Sequence, residues 1–248
     1  MKKIFFFSLL GLGLLSASVS HAQISFGAKA GAGASFLFAD NINIRQSEPN
    51  LSQEILQGVL IGGVFRYIPP EKKSGILMEF NLAQKGWSEL TDVGGTFTTR
   101  LNYLEVPMMA HIRIGRAKTK VGVNAGPYFS YLISFNETAA GGATEADASF
   151  RMTDDNRNRP GYGLSMGLSL TRNTAIGDFQ LDFRYNLGLS NVVQRIDDTI
   201  PDFTQLQDVH VGISYIWPFG RKEKKPKKPK PAPQPVPEPA QSQGVEGR

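Results

Sequence analysis

The side chains that could perform acid, base or nucleophilic chemistry are few in this chain and far apart along it. The 248 residues include no cysteine, which excludes a disulfide framework, a zinc knuckle, a thiol nucleophile and a lipid-modified N-terminal cysteine. A Ser-His-acid hydrolase would have to combine His210 with Ser190 and Asp208, and no sequence motif supports that trio. His111 lies on another predicted strand, near the opposite end of the molecule. We therefore expect no catalytic, cofactor-binding or metal-binding residues, and no enzymatic activity.

Many of the remaining ionisable side chains share one face of segments that alternate between polar and apolar residues. That face collects Lys29, Arg66, Glu79, Lys85, Glu105, His111, Arg113, Asn124, Asp182, Arg184 and His210. Because charges removed from water must pair or become neutral, we expect an internal network. Its expected acids are Glu79, Glu105 and Asp182, and its expected bases are Lys29, Lys85 and Arg184. Such a network would fill a narrow interior as a polar plug; the alternative is a solute path, which would need the network to open.

The connections between these segments offer weaker signals. Residues 135–159 mix acidic and basic side chains, which is typical of a solvated loop, and their spacing does not match a calcium loop. Asn136-Glu137-Thr138 is an N-x-T sequon, and Asp198-Thr199-Ile200 resembles a short O-glycosylation signal. Matches of three residues arise often by chance, so neither Asn136 nor Thr199 is counted as a site.

The net charge of +5 belongs to the two ends of the chain. Lys2 and Lys3 carry two positive charges and residues 221–248 carry eight basic and three acidic side chains, so residues 4–220 have a net charge of −2. The first basic pair precedes an apolar run and a small-x-small cleavage site, Ser20-His21-Ala22, which is the pattern of a secretory signal peptide. The alternative, a membrane-spanning helix, would need ~20 apolar residues. The polar run over residues 16–23 ends the apolar segment before that length. The mature chain should therefore leave the cytoplasm, which excludes nucleic acid as a partner.

From Ile24 onward, apolar and polar residues alternate with a period of two, as they do in β-strands. Between residues 179 and 190 every odd position is Phe, Leu or Tyr, and every even position is polar or small. Residues 161–170 and 120–131 alternate in the same way. Five further segments complete a set of eight strands: 24–38, 55–68, 74–87, 97–114 and 207–219.

Long and short connections alternate between these predicted strands. The long, polar connections are residues 39–54, 88–96, 134–160 and 191–206, and the short ones are residues 69–73, 115–119 and 172–176. This arrangement is typical of a membrane barrel whose strands cross the bilayer with ~9–11 residues each. The sequence therefore predicts an all-β fold, an eight-stranded antiparallel up-and-down transmembrane β-barrel with both termini on the short-turn side.

Alternation alone leaves open whether the apolar face points into a soluble, lipocalin-like barrel or outward into lipid. The polar face is dominated by small residues, such as Gly27, Gly31 and Ser35 on the first strand, whereas a water-facing surface carries about a quarter to a third charged residues. Small residues suit a narrow lumen, and two aromatic girdles also indicate lipid outside. The expected girdles comprise Phe26, Tyr67, Phe179, Tyr215 and Trp217 at the short-turn rim, and Phe36, Phe38, Trp87, Phe129, Tyr131 and Tyr162 at the long-loop rim.

Five sequence blocks resemble a known family. In chain order they are Glu79-Phe80, Gln84-Lys85-Gly86, Tyr103-Leu104-Glu105-Val106-Pro107, Gly126-Pro127-Tyr128 and Arg184-Tyr185-Asn186-Leu187-Gly188-Leu189. They are similar to the conserved blocks of the PorT-like outer-membrane β-barrel proteins of Bacteroidota, over about residues 24–219 and mainly through the Tyr-Leu-Glu-Val-Pro block. The resemblance implies an eight-stranded outer-membrane barrel. Some members of that family are linked to type IX protein secretion, and most have no assigned activity.

These observations predict a signal peptide at residues 1–22, a barrel domain at 23–220 and a disordered Lys/Pro-rich periplasmic tail at 221–248. The expected location is the outer membrane of a Gram-negative bacterium. We expect a non-enzymatic structural or interaction role in the cell envelope, including an accessory role in protein secretion; the alternative is a narrow pore for ions or small solutes. The expected partners are outer-membrane lipid and, through the tail, peptidoglycan or a periplasmic or envelope protein. No cofactor is expected.

Overall fold

The computed structural model describes residues 23–40, 52–70, 72–90, 94–115, 118–144, 152–194 and 203–219. The strands are β1 (Gln23–Asp40), β2 (Ser52–Glu54), β3 (Leu56–Ile68), β4 (Ser74–Leu90), β5 (Thr96–Ile114), β6 (Thr119–Ala140), β7 (Pro160–Asn173), β8 (Asp178–Asn191) and β9 (Phe203–Phe219). None of the described segments forms a helix of the length and apolarity needed to cross a membrane. The predicted signal peptide, the predicted tail and Thr199 lie outside the described residues.

The eight long strands form a closed ring of antiparallel neighbours. Around the ring the order is β1, β3, β4, β5, β6, β7, β8 and β9, and the last strand pairs with the first. The β1–β9 ladder runs from Ile24 opposite Phe219 to Asp40 opposite Phe203, and the short β2 pairs with the end of β4. Closure leaves none of these long strands as a free sheet edge, which is the condition for a sheet in lipid. The predicted eight-stranded antiparallel barrel is confirmed.

At the long-loop end, several strands are longer than the alternation predicted. β4 continues to Leu90 and β5 begins at Thr96, so the predicted long connection over 88–96 is a short one. β6 continues to Ala140 and stays paired with β5 as far as Thr96. Beyond the apolar band polar side chains occur on both faces, so the alternation fades while the ladder of backbone hydrogen bonds continues.

Burial alternates along the strands and separates an inner face from an outer face. On β8, Asp182 and Arg184 are at most 1% exposed, whereas Leu181 and Phe183 are 47% and 54% exposed. Each of the eleven polar and charged residues predicted to face inward is buried. Large apolar side chains on the outer face are widely exposed, so the apolar face points outward, as predicted. A lipocalin-like barrel would have the opposite arrangement.

Trp87 does not belong to the outer girdle, and that prediction was wrong. Its side chain is 1% exposed inside the barrel, where the indole Nε1 donates a hydrogen bond to Glu89 Oε1 at 2.8 Å. Trp87 lies two residues after the inward-facing Lys85 on β4, so the period of two places it on the inner face. The prediction considered only its height along the strand. Phe129 and Tyr162, also predicted for this rim, are 55% and 57% exposed.

The closed ladder predicts resistance to unfolding in detergent, because opening the ring would expose a whole row of backbone groups. The mature protein in dodecyl sulfate is expected to migrate differently before and after boiling on a gel. Equal mobility of the two samples, or recovery of the protein in a soluble periplasmic fraction, would contradict the barrel.

Candidate functional site

The middle of the lumen holds an ion pair that joins opposite walls of the barrel. Arg184 Nη1 on β8 donates to Glu79 Oε2 on β4 at 2.7 Å. Lys29 Nζ on β1 and Asn81 Nδ2 on β4 donate to the same oxygen, each at 3.0 Å. β4 and β8 are four strands apart in either direction around the ring. The contact therefore crosses the full width of the lumen.

Lys29 reaches this ion pair by passing over a glycine on the neighbouring strand. A Cβ atom on Gly212 of β9 would lie 2.7 Å from Lys29 Cε, closer than van der Waals contact allows. A small residue at this position leaves room for the lysine stem, as the excess of small residues on the inner face suggested.

A second charged group lies nearer the long-loop end and centres on Lys85. Its ammonium group pairs with Glu105 at 2.5 Å and with Asp208 on β9. Asp208 Oδ2 also accepts hydrogen bonds from Asn186 Nδ2 and from His210 Nδ1, both at 3.1 Å. The Lys85 ammonium lies 5.6 Å from the centre of the Tyr128 ring. This group ties β4 and β5 to β8 and β9.

A third group occupies the short-turn end of the lumen. Arg66 on β3 forms an ion pair with Asp178 on β8, again across the interior. The side chains of His111 and Asn124 are joined by a hydrogen bond of 2.5 Å. All four are buried. The charged groups are thus spread along the barrel axis in three layers.

The predicted network is present, with two acids that sequence reasoning missed. Glu79 and Glu105 pair with the expected bases, while Asp182 lies 3.8 Å from Arg184. The missed acids are Asp208 and Asp178. Both follow the same period of two: Asp208 shares the face of His210, and Asp178 shares that of Asp182 just before the predicted start of the strand. Asp208 already lies within the predicted strand 207–219, and extending the alternation back by one residue from residue 179 would have found Asp178.

An apolar cluster lies beyond the Lys85 group and fills the long-loop end of the barrel. Its buried members are Leu37, Trp87, Leu101, Tyr103, Leu132, Met152, Val192, Val193 and Leu206. Three of them, Met152, Val192 and Val193, come from segments that follow β6 and β8 and fold back over the mouth of the barrel. We call these segments, residues 152–159 and 192–194, the cap.

Backbone and side-chain hydrogen bonds hold the cap in place. Asn158 N donates to Val192 O at 2.9 Å, which joins the two segments of the cap. Leu132 N donates to Arg159 O at 2.8 Å, and Met152 N donates to Glu137 Oε1 at 2.9 Å, which tie the cap to β6. Residues 135–159 were expected to form a solvated loop. The described part instead includes the end of β6 and a packed cap, because Met152 supplies an apolar anchor that the mixed charges concealed.

The structure does not assemble the Ser-His-acid trio considered from the sequence. His210 and Asp208 are in contact, but Ser190 bonds to the backbone of Tyr162, accepting from its N–H at 3.1 Å. His210 lies in the middle of β9 rather than near its outer end as predicted, because that strand begins at Phe203. His111 lies near the short-turn end. Within the described ranges, no group of three or more His, Asp or Glu side chains could hold a metal ion.

The space left between these groups is small. One cavity of about 20 Å³ borders Lys85, Glu105, Asp208 and His210, and another of the same volume borders Tyr103, Tyr128 and Ser190. Each has room for about one water molecule. The lumen at these levels is packed with side chains rather than open to solvent.

Comparison with protein families shows to which family this barrel belongs. The model of the outer membrane protein beta-barrel domain matches residues 17–194, which is most of the chain. The chain belongs to this family. The family match agrees with the apolar outer face of the barrel. It indicates that the protein is located in the outer membrane. No curated protein matches the sequence.

Several solved structures are similar to this outer-membrane barrel. OprG from Pseudomonas aeruginosa is 10% identical, with a TM-score of 0.47 over 79% of this chain and 95% of that one. Ail of Yersinia pestis, solved in complex with the heparin analogue sucrose octasulfate, is 14% identical, with a TM-score of 0.38 over 79% of this chain and 99% of that one. Neisserial surface protein A is 11% identical, with a TM-score of 0.40 over 77% and 96%.

Loss of an inner charge should destabilise the outer-membrane barrel more than trimming its lipid-facing side. Arg184→Ala leaves Glu79 and Asp182 buried with fewer partners, at an expected cost of about 3 kcal/mol in the free energy of unfolding. Leu181→Val, three residues away on the outer face, should cost about 1 kcal/mol or less. Denaturant unfolding in lipid vesicles measures both. Equal losses for the two variants would mean that residue 184 does not support a packed lumen.

Proposed function

We propose that this outer-membrane barrel is a closed, non-enzymatic protein with a structural or interaction role in the cell envelope. The observation that carries the proposal is the contact between Arg184 and Glu79, which joins opposite walls at 2.7 Å. A side-chain bridge across an eight-stranded lumen leaves no continuous aqueous path at that level. A closed barrel holds its loops on one side of the membrane and its termini on the other.

The cap supports the same conclusion at the mouth of the barrel. Met152 and Val193 are at most 2% exposed and pack against Trp87 and Leu206 from the wall. A solute entering from the long-loop side would have to displace this apolar cluster before it reached the Lys85 group. A solute would therefore meet two separate barriers, first the apolar cluster at the mouth and then the ion pair between Glu79 and Arg184.

The absence of an assembled nucleophile among the described residues favours a non-enzymatic role. The His210–Asp208 pair lies inside the lumen at 5% and 4% exposure, and Asp208 is committed to Lys85. A substrate in the membrane or in water has no route to this pair while the cap is closed. An accessory role in protein secretion is the narrower form of the proposal, and its support is the resemblance of the Tyr-Leu-Glu-Val-Pro block to PorT-like proteins.

Planar-bilayer recording tests the closed lumen. The purified full chain is expected to insert without discrete conductance steps, because the Glu79–Arg184 pair and the cap both block the axis. A porin reconstituted in the same way is the positive control, and detergent buffer alone is the negative one. Reproducible unitary steps from the wild-type chain would favour the narrow pore for ions or small solutes instead.

We further propose that residues 221–248 bind the cell wall. Seven Lys and Arg residues precede Ala232, and prolines recur from Pro226 to Pro239. Proline removes backbone donors and high charge disfavours a core, so an extended conformation is expected. At ~3.1 Å per residue, the 28 residues could extend on the order of 85 Å from the barrel. The carboxylates of peptidoglycan stem peptides would attract the lysines.

Co-sedimentation with purified peptidoglycan tests the tail. The full-length barrel is expected to sediment with the wall at low salt and to be released as salt screens the charges. A chain truncated after Phe219 is the matched control, and it should lose binding while keeping its heat-dependent gel mobility. If the truncated chain sediments as strongly as the intact one, the tail has no role in wall binding; a periplasmic protein partner is then the remaining candidate for it.

A further inference from the structure

A cluster of polar side chains lies on the outer surface of β4, β5 and β6, which is apolar from there toward the short-turn end. Its members, called here the Arg100 cluster, are Gln84, Arg100, Asn102 and Ser134. Asn102 Nδ2 donates to Ser134 Oγ at 3.0 Å, and Gln84 Nε2 donates to Asn102 Oδ1 at 3.4 Å. Arg100 Nη1 donates to Gln84 Oε1 at 3.3 Å. These bonds form a chain across three strands that ends on one exposed guanidinium group.

The Arg100 cluster begins where the lipid-facing band ends. Leu82 and Leu104 are 50% and 40% exposed and are the last large apolar side chains below it on β4 and β5, whereas on β6 the 50% exposed Ile133 lies beside Ser134. Arg100 lies four residues beyond Leu104 on β5, about 13 Å along the strand. With a strand tilt of about 40°, this is on the order of 10 Å along the membrane normal. Such a distance puts the guanidinium group in the headgroup layer.

The rest of the barrel has a different surface at this height. β1 and β9 carry Phe38 and Phe203, each 54% exposed. Polar side chains also face outward on other strands, such as Gln57 on β3 and Gln205 on β9, but these are uncharged. Among the described residues, no acidic side chain lies at an outward-facing position of β4, β5 or β6 around Arg100. Glu89 and Glu137 are nearby, but the alternation along their strands places both on the inner face. An anion approaching Arg100 would meet no like charge there.

The chemistry of the cluster suits a phosphorylated sugar. A guanidinium group has five N–H donors in a planar fork that matches a phosphate, and the described contacts of Arg100 use one of them. The bond between Gln84 and Asn102 turns the Gln84 carbonyl oxygen toward Arg100, which holds the fork in position. The half-buried amides of Gln84 and Asn102 and the exposed hydroxyl of Ser134 beside it can bond to sugar hydroxyls. Acyl chains attached to the same molecule would lie on Leu82, Leu104 and Phe129.

We propose that the Arg100 cluster binds the phosphorylated saccharide headgroup of an outer-leaflet glycolipid. The inference uses the outward orientation of the long loops that the proposed function assumes. It does not depend on whether the lumen conducts, because the cluster lies outside the barrel wall. Bilayer recording and lipid binding can therefore fail independently.

The experiment titrates lipid A onto the purified full chain in detergent and counts bound lipid by native mass spectrometry. Arg100→Gln removes the charge, and we expect its affinity for lipid A to fall about tenfold or more, since a charge-assisted phosphate contact is lost. Arg172→Gln is the matched control. Arg172 is also exposed and outward-facing, with one hydrogen bond to a threonine hydroxyl at 3.5 Å, but it lies at the short-turn rim. This variant should bind lipid A like the wild type.

Two further arms identify the headgroup. Dephosphorylated lipid A should bind the wild type as weakly as lipid A binds Arg100→Gln, and phosphatidylglycerol should compete poorly because it lacks the sugar. Gel mobility before and after boiling confirms that each variant is folded. Equal binding of lipid A by the wild type and Arg100→Gln would overturn the proposal, as would equal affinity for phosphatidylglycerol. If Arg172→Gln lost lipid A binding and Arg100→Gln did not, the proposal would be overturned. The assumption that the long loops face outward would then be overturned as well.

Discussion

The pairing of β1 with β9 is the constraint on which the rest of this structure depends. In lipid, a backbone N–H or C=O without a partner costs several kcal/mol, so the sheet must close on itself. Eight strands close into a ring whose interior is just wide enough for side chains to fill. Closure therefore decides both surfaces at once: the outer face must be apolar, and the inner face must combine small residues with groups that can reach each other across the lumen.

The inner charges follow from that narrow geometry. Burying an isolated ion is far more costly than burying a pair that also has hydrogen bonds. Glu79 meets this condition with three donors, from Lys29, Asn81 and Arg184. Because these donors come from β1, β4 and β8, satisfying one carboxylate also links distant parts of the wall. The packing that offsets the cost of burying the charges is the same packing that the proposed closed lumen requires, so stability and the proposed closure have one physical cause.

The proposed closed interior shifts the expected function to the surfaces. The cap, the outer face of the barrel and the predicted tail are parts that can contact other molecules. The Arg100 cluster is a case in which the outer face departs from its apolar rule and carries a charge. Such a departure is inexpensive only in the headgroup layer, where water and lipid phosphates solvate polar groups.

The sequence by itself determined the strands, their faces and the class of the fold, because a period of two is a local property that each strand displays independently. It placed Lys29, Lys85 and Arg184 inside, and the same rule applied consistently would have placed Trp87, Asp178 and Asp208 there as well. Only the tertiary structure decided which charges meet, since the distance from Arg184 to Glu79 depends on ring closure and strand register rather than on chain position. It alone showed that Met152 folds into the mouth of the barrel, because irregular segments carry no periodic signal. The Arg100 cluster was hidden for the same reason: its members are 50 residues apart along the chain from Gln84 to Ser134 and become neighbours only when three strands align.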